Sequence, residues 1–195
     1  MELLDALDLA SGEFGGRLMH VSDAAWALPT PCEEWDVRYL AAHVVGGNRF
    51  AVSILAGLPS TEAIELVMSA PQLGGDAVSS WSTSAAEQRS AFHADGVLDR
   101  TVDHPLGLLP ARHFLEFRIL DLTLHAWDLA QALGLDDVLD ADLVDTVLAI
   151  IDRGPPGMGF GLRPLGQAGD RAPAQTRLLD HTGRPTRWRP PRTAS

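Results

Sequence analysis

Asp121 and His125 lie four residues apart in the run Arg118-Ile-Leu-Asp-Leu-Thr-Leu-His-Ala-Trp-Asp-Leu-Ala130, which is otherwise almost wholly apolar. On a helix each residue advances by about 100°, so this spacing sets the two side chains within roughly 40° of each other, one turn apart. Arg118 and Asp128 fall on the same side. The run therefore reads as a buried helix carrying one narrow ionisable stripe. Buried ionisable groups are costly unless they are paired or bind a metal, and a carboxylate and an imidazole one turn apart are two good metal ligands.

A third ligand has to come from another helix. His43 is the candidate because its helix reads as buried; spacing alone does not select it over the other histidines. Three protein ligands leave positions open for water or substrate, the arrangement of catalytic rather than structural sites. Zinc (Zn2+) suits two imidazoles and a carboxylate, and nickel, iron and manganese are compatible with the same ligand types. The competing reading is structural, with His125 and Asp121 a buried pair that holds helices in register. Asp128 reads as a residue that orients a ligand imidazole from behind, as a partner of Arg118, or as a cap. Arg118 reads as a holder of a substrate carboxylate or as the ion-pair partner of an acid. Cys32 is followed by Glu33 and Glu34, which disfavour a thiolate, so it reads as a small buried group and not a nucleophile. Trp35, Trp81 and Trp127 read as core, and His20, His93, His104, His113 and His181 have no partner at a defined spacing.

These side chains need a scaffold, and the apolar periodicity supplies helices. Residues 2–20 form a first helix. The connector 28–35 is kept irregular by Pro29 and Pro31. Asp36 caps a second helix over 38–56, stopped by Gly57 and Pro59; its apolar face runs Leu40, His43, Gly47, Phe50 and Ile54, so His43 points inward. Residues 61–75 read as a long connection, 77–95 as a third helix, and 97–110 as an irregular crossover or a short hairpin. The fourth helix, 111–133, is stopped by Gly134, and a fifth covers 140–152. The composition then shifts. Residues 156–195 are a Gly/Pro/Arg-rich extension to the helical unit 1–155, with short strands at 178–180 and 186–188 around a Thr182-Gly183 turn. Gly154-Pro-Pro-Gly-Met-Gly reads as a loop, the last residues as frayed, and Arg184, Arg187, Arg189 and Arg192 as a tail that either covers the site or is disordered. The fold class is all-α: a four-helix bundle with an additional helix, a frame that builds metal sites from inward-facing side chains.

The 195-residue chain is 46% hydrophobic with a net charge of −11. The charge argues against nucleic acid or an anionic membrane as partner. One cysteine excludes an internal disulfide. The N-terminus lacks the basic and apolar segments of a signal peptide and no stretch is long enough to span a membrane, so a cytoplasmic protein acting on a small molecule is the expectation. A homodimer through exposed bundle faces is compatible with the sequence. Phosphate-binding glycine loops and the Gly-x-Ser-x-Gly elbow are absent.

Thr30-Pro-Cys-Glu-Glu-Trp-Asp-Val-Arg-Tyr-Leu-Ala-Ala-His-Val-Val-Gly-Gly47, followed by Asp121-Leu-Thr-Leu-His-Ala-Trp-Asp-Leu-Ala130, resembles the DinB/YfiT-like metal-binding superfamily. The resemblance is to its actinobacterial branch, related to the N-terminal domain of mycothiol-dependent maleylpyruvate isomerase, and it covers most of residues 3–155, continuing to Gly183-Arg-Pro. It implies a four-helix bundle with a divalent metal, usually zinc, held by His43, Asp121 and His125. It also implies a metal-dependent transferase or isomerase that uses a low-molecular-weight thiol, mycothiol, against a small electrophile; the alternative is a non-catalytic metal- or ligand-binding bundle. The isomerase commonly has Glu at the place of Asp121, and it carries a separate C-terminal domain whose substrate residues cannot be carried over to this sequence.

Overall fold

A computed structural model describes residues 1–69, 72–154 and 163–190. In chain order its helices are α1 (Leu3–Leu18), α2 (Val37–Leu55), α3 (Ser60–Met68), α4 (Ala77–Phe92), α5 (Ala111–Leu133), α6 (Ala141–Asp152) and α7 (Ala174–His181). A hairpin of β1 (Thr101–His104) and β2 (Gly107–Pro110) joins α4 to α5. The bundle proper is α1, α2, α4 and α5. Helix α5 packs on α1 and α2, and α4 closes the ring by touching both of those. The mostly helical architecture is the one the periodicity requires.

Helix α5 is the axis of the molecule. Every residue from 114 to 130 is buried, because α1, α2, α6 and the hairpin surround it. That is why its sequence is apolar all round, and why the stripe of charge inside it needs internal partners. The Asp36 carboxylate caps α2 by accepting from the Tyr39 N–H at 2.7 Å, and Gly134 ends α5 in the left-handed conformation (φ 65°), a backbone state that glycine enters at little cost. Phe14 of α1 packs on Trp81 of α4 with ring centroids 4.8 Å apart.

The structure corrects two readings of the connections and decides a third. Residues 60–68 are a helix, α3, rather than part of a long connection; it buries only Ser60 and Ala63, too narrow an apolar face to stand out in the pattern. Residues 178–180 lie in helix α7, which packs on α6, and 186–188 is not a strand. The adjacent Leu178 and Leu179 are both buried, a pairing that a helix between two surfaces explains and an alternating strand does not. Among the described residues the hairpin lies at 101–110, where a short hairpin is one of the two sequence readings, and none lies in the C-terminal extension. Residues 155–159 of the Gly/Pro loop, Arg192 and the chain end lie outside the described residues. Among the described residues no helix is long and apolar enough to cross a membrane.

Candidate metal centre

Helices α2 and α5 bring the stripe and His43 together. One oxygen of the Asp121 carboxylate, Oδ1, lies 3.2 Å from His43 Nε2 and 3.3 Å from His125 Nε2. Each residue can thus offer one ligand atom, all lying within 4.8 Å of one another. The His43 and His125 rings meet edge to face, centroids 5.0 Å apart. His43 does not point into the core as its place beside Leu40 suggests. The buried face of α2 is Leu40, Ala41, Val44, Val45 and Asn48, which turns His43 to the rim with 38% of its side chain exposed. A ligand at the mouth of a site has to be reachable, and this position provides that.

The other Asp121 oxygen is held from behind. Arg118 NH1 donates to Oδ2 at 2.6 Å. The same guanidinium donates through Nε to Gln88 Oε1 at 2.8 Å and through NH2 to Asn48 Oδ1 at 2.9 Å. Of the two sequence readings of Arg118, the ion pair with an acid is the one present. Asn48 and Gln88, on α2 and α4, complete a buried polar layer that the sequence reading passed over. Gly47 gives the guanidinium its room: a Cβ there would stand 2.4 Å from Arg118 NH1. We expect Gly47→Ala to cost about 1–3 kcal/mol by driving a thrice-bonded buried group out of place. Gly46→Ala, whose Cβ would meet only side-chain atoms of Val67 and Gln72 at 3.3–3.5 Å, should cost less. Urea unfolding of the two variants side by side checks the ordering.

His125 is fixed from its far side. Its Nδ1 donates to Asp128 Oδ2 at 2.9 Å, which leaves Nε2 to face Asp121 and His43. Asp128 is paired not with Arg118 but with Arg184, which reaches in from the end of α7 and donates Nε to Oδ1 at 2.9 Å and NH2 to Oδ2 at 2.7 Å. Gly183 makes that approach possible. It adopts φ 76°, and a Cβ there would lie 2.8 Å from the Arg163 carbonyl oxygen. The uncertain arginine tail therefore resolves at Arg184, which locks Asp128 in place. Cys32 is not a mere apolar filler: it is half-buried, and its thiol donates to Asp128 Oδ2 at 3.3 Å. Trp35 is only partly buried and lies over the site, its ring 4.8 Å from that of His43 and 5.6 Å from that of His125; Trp81 and Trp127 are core.

Electrostatics follow from this packing. Burial pushes the Asp121 carboxyl up, but Arg118, His125 and His43 together hold it well below the usual carboxylate range. Burial opposes charge on His125 too, yet Asp121 and the hydrogen bonds to Asp121 and Asp128 raise it well above the ordinary histidine value. Asp128 is desolvated and still lowered to about 2, chiefly by Arg184. Two histidine nitrogens and a carboxylate oxygen that share one point at a reachable rim fit a divalent cation. A second group, Cys32, His125 and Asp128, also converges. It fits less well, because both Asp128 oxygens carry the Arg184 guanidinium, a fixed positive charge where a cation would have to sit.

The group of three donors opens on a cavity of about 500 Å3 that His43, Arg118 and Asp121 line at one end. Phe50, Phe114 and Phe117 form one wall, α3 another, and His104 with Pro105 of the hairpin a third. Ser60, at the start of α3, donates its N–H to Asp103 of β1 at 2.9 Å, so these last two walls are tied together.

A family model described as the mycothiol maleylpyruvate isomerase N-terminal domain matches residues 7–130, a span that contains His43, Asp121, His125 and Asp128. Uncharacterised proteins from two strains of Mycobacterium tuberculosis are 34% identical over 149 residues, covering 76% of this chain and 77% of each relative. Among solved structures, mycothiol-dependent maleylpyruvate isomerase superposes with a TM-score of 0.59 at 19% identity, and a histidine-to-alanine mutant of it with 0.61 at 20%. Each covers 77% of this chain and 68% of its own, a likeness of fold.

Proposed function

The chain belongs to the mycothiol maleylpyruvate isomerase N-terminal domain family, and from that premise we propose that it is a divalent-metal enzyme, with zinc the metal its donors suit, that uses a low-molecular-weight thiol of the mycothiol type to transfer onto or isomerise a small electrophile. The observation that carries this reading is the convergence of His43 Nε2, His125 Nε2 and Asp121 Oδ1 at one end of a 500 Å3 cavity. Aspartate is a methylene shorter than the glutamate common in the isomerase, yet its Oδ1 reaches both imidazoles.

When bound there, the cation would supply the charge that keeps a coordinated thiol as thiolate at neutral pH. The chain's own residues do the rest. His43, Asp121 and His125 hold the ion. Arg118 fixes the Asp121 carboxylate, and Asp128, clamped by Arg184, fixes the His125 ring and keeps the proton on Nδ1. Trp35 covers the two imidazoles, and the aromatic wall excludes water from the electrophile. The protein supplies no nucleophile: Cys32, the single thiol, is engaged with Asp128.

Elemental analysis of protein purified without chelator, beside His43→Ala and His125→Ala, tests this reading. We expect about one metal per chain in the parent, lost in both variants while their circular dichroism stays helical, and thiol-conjugate formation lost with it. Parent protein that is metal-free and cannot be loaded overturns the reading and leaves Asp121–His125 a structural pair. A loaded protein that forms no conjugate with any electrophile of a broad panel leaves a metal-binding bundle without the activity.

A further inference from the structure

The cavity beside the metal group limits what can occupy it. Its walls are Phe50, Phe114 and Phe117 on one side and Ile64, Val67 and Met68 of α3 on the other. Such walls reward apolar surface and give a carboxylate little in place of its water; the polar side chains beside them are Tyr39 and Gln72 and, at one end, His43, Arg118 and Asp121. The chain contains no lysine; all of its basic side chains other than histidine are arginines. Among the described lining residues the arginine is Arg118 alone, and its guanidinium is already given to Asp121, Asn48 and Gln88. A ligand carboxylate could take it only by stripping Asp121 of its partner. Arg49, which touches the lining through Gln72, donates to Gln72 Oε1 at 3.2 Å.

One polar group stands among the rings. His104 lies 5.1 Å from Phe114 and 5.6 Å from Phe117, centroid to centroid. Burial lowers its pKa against a weaker opposing pull from Asp103, so it is neutral. Its Nδ1 accepts the Leu106 N–H at 3.2 Å. A neutral imidazole that accepts at Nδ1 carries its proton on Nε2, a single uncharged donor.

We propose that the electrophile taken by this site is an uncharged, largely apolar molecule of one or two aromatic rings, bearing a carbonyl or nitro acceptor for His104, and not a dicarboxylate. This rests on the reading of the site as a thiol-dependent enzyme. With chlorodinitrobenzene as model substrate, the thiolate sulfur attacks the ring carbon and a C–S bond forms. The C–Cl bond then breaks, chloride leaves with its electron pair, and the thiol proton passes to water.

The test has a binding arm that needs no turnover. Metal-free protein is titrated with the neutral fluorophore phenylnaphthylamine, which is then displaced by neutral dinitrotoluene or by dianionic maleate. Dinitrotoluene should compete about 100-fold better than maleate. Ile64→Arg should weaken fluorophore binding about tenfold by placing a cation on the apolar wall. Met68→Arg, at a residue 80% exposed, is the second variant should the first not fold. Maleate competing as well as dinitrotoluene, or fluorophore binding that neither folded variant changes, overturns the proposal. The second arm compares conjugate formation by the zinc-loaded protein with chlorodinitrobenzene and with maleate. Neutral preference in binding with no conjugate from either sinks the enzyme reading and leaves the ligand class standing. Faster conjugation of maleate overturns the ligand class and keeps the enzyme.

Discussion

An Arg118→Met variant should lose about 3–5 kcal/mol of folding stability, a large share of what a domain of this size has. The chain places a guanidinium and a carboxylate inside a helix that is buried on every side. Their interaction is not an extra added to an otherwise sound core; each makes the other's burial tolerable. Methionine fills much of the volume but leaves the Asp121 charge, the Asn48 amide oxygen and the Gln88 amide oxygen without the donors they have now. A stranded buried acceptor alone costs about 1–3 kcal/mol, and the Asp121 carboxylate loses the guanidinium on Oδ2 while its Oδ1 keeps His43 and His125. The double variant Arg118→Met with Asp121→Leu should recover only the part of the loss that the unpaired carboxylate causes, because replacing both members of a buried pair by apolar groups is close to neutral while Asn48 and Gln88 still lack their donor, and it abolishes metal uptake. Urea unfolding in chelator, read by circular dichroism, gives both numbers. A loss below about 1 kcal/mol for Arg118→Met would mean that water reaches this layer.

Much of this layer was open to reading in the sequence, and the parts that were not share a cause. Helix α5 declares itself between its first residue, Ala111, and the glycine at 134 because both its apolar character and its stop are local properties. The Asp121–His125 spacing is local too. What pairs with that stripe is not. Cys32 and Arg184 are 96 and 56 residues from Asp128 in sequence, and no periodicity links them to it. His43 was legible as a histidine on a helix, but its orientation depends on which face of α2 the other helices bury, and a one-position error in that face turns an inward residue into a rim residue. The missed helices carry a signal of a different kind. Helices α3, α5 and α7 each begin directly after a proline, Pro59, Pro110 and Pro173, held in extended backbone. Proline has no N–H to lose at a helix start and disfavours helix in the residue before it. Read that way, Pro59 followed by Glu62 in the first turn and Pro173 followed by a run of good helix formers mark two starts that apolar periodicity passed over.

Those two short helices matter to the site more than their length suggests. Helix α3, tied to the hairpin by the Ser60–Asp103 hydrogen bond, turns the open end of the His43, Asp121 and His125 group into a walled cavity, and α7 is followed by the glycine that sends Arg184 to Asp128. The bundle supplies the donors, and the later elements decide what reaches them and how rigidly His125 is held. The family match spans residues 7–130, so it includes α3 and the hairpin and ends before α7 begins.

Metal binding should release about one proton per ion, and the affinity should rise about tenfold for each pH unit from neutrality up to the His125 pKa. The reason lies in the partners that Asp121 and Asp128 give His125. In metal-free protein they outweigh burial and hold its pKa well above the ordinary value of 6.5, so near pH 7 the ring is a cation. A metal needs the Nε2 lone pair and must displace that proton. The consequences for stability have opposite signs in the two forms. In metal-free protein the raised His125 pKa contributes stability that is fully present below pH 6.5 and is lost as pH rises through the raised value. The lowered carboxylates contribute stability that is present above the ordinary 3.8 and is lost as pH falls toward about 2, the value for Asp128. Metal-free protein is thus most stable on the acid side of neutrality. The metal-loaded form gains as pH rises, because tighter binding to the native state adds to stability by mass action. The gap in Tm between zinc-loaded and chelated protein should therefore widen from pH 6 to pH 8.5. Calorimetric titration with zinc in two buffers of different ionisation enthalpy counts the protons directly. Affinity that stays flat with pH and binding that releases no proton would show that the ion does not displace the His125 proton, and the assignment of His125 Nε2 as a ligand would fall with it.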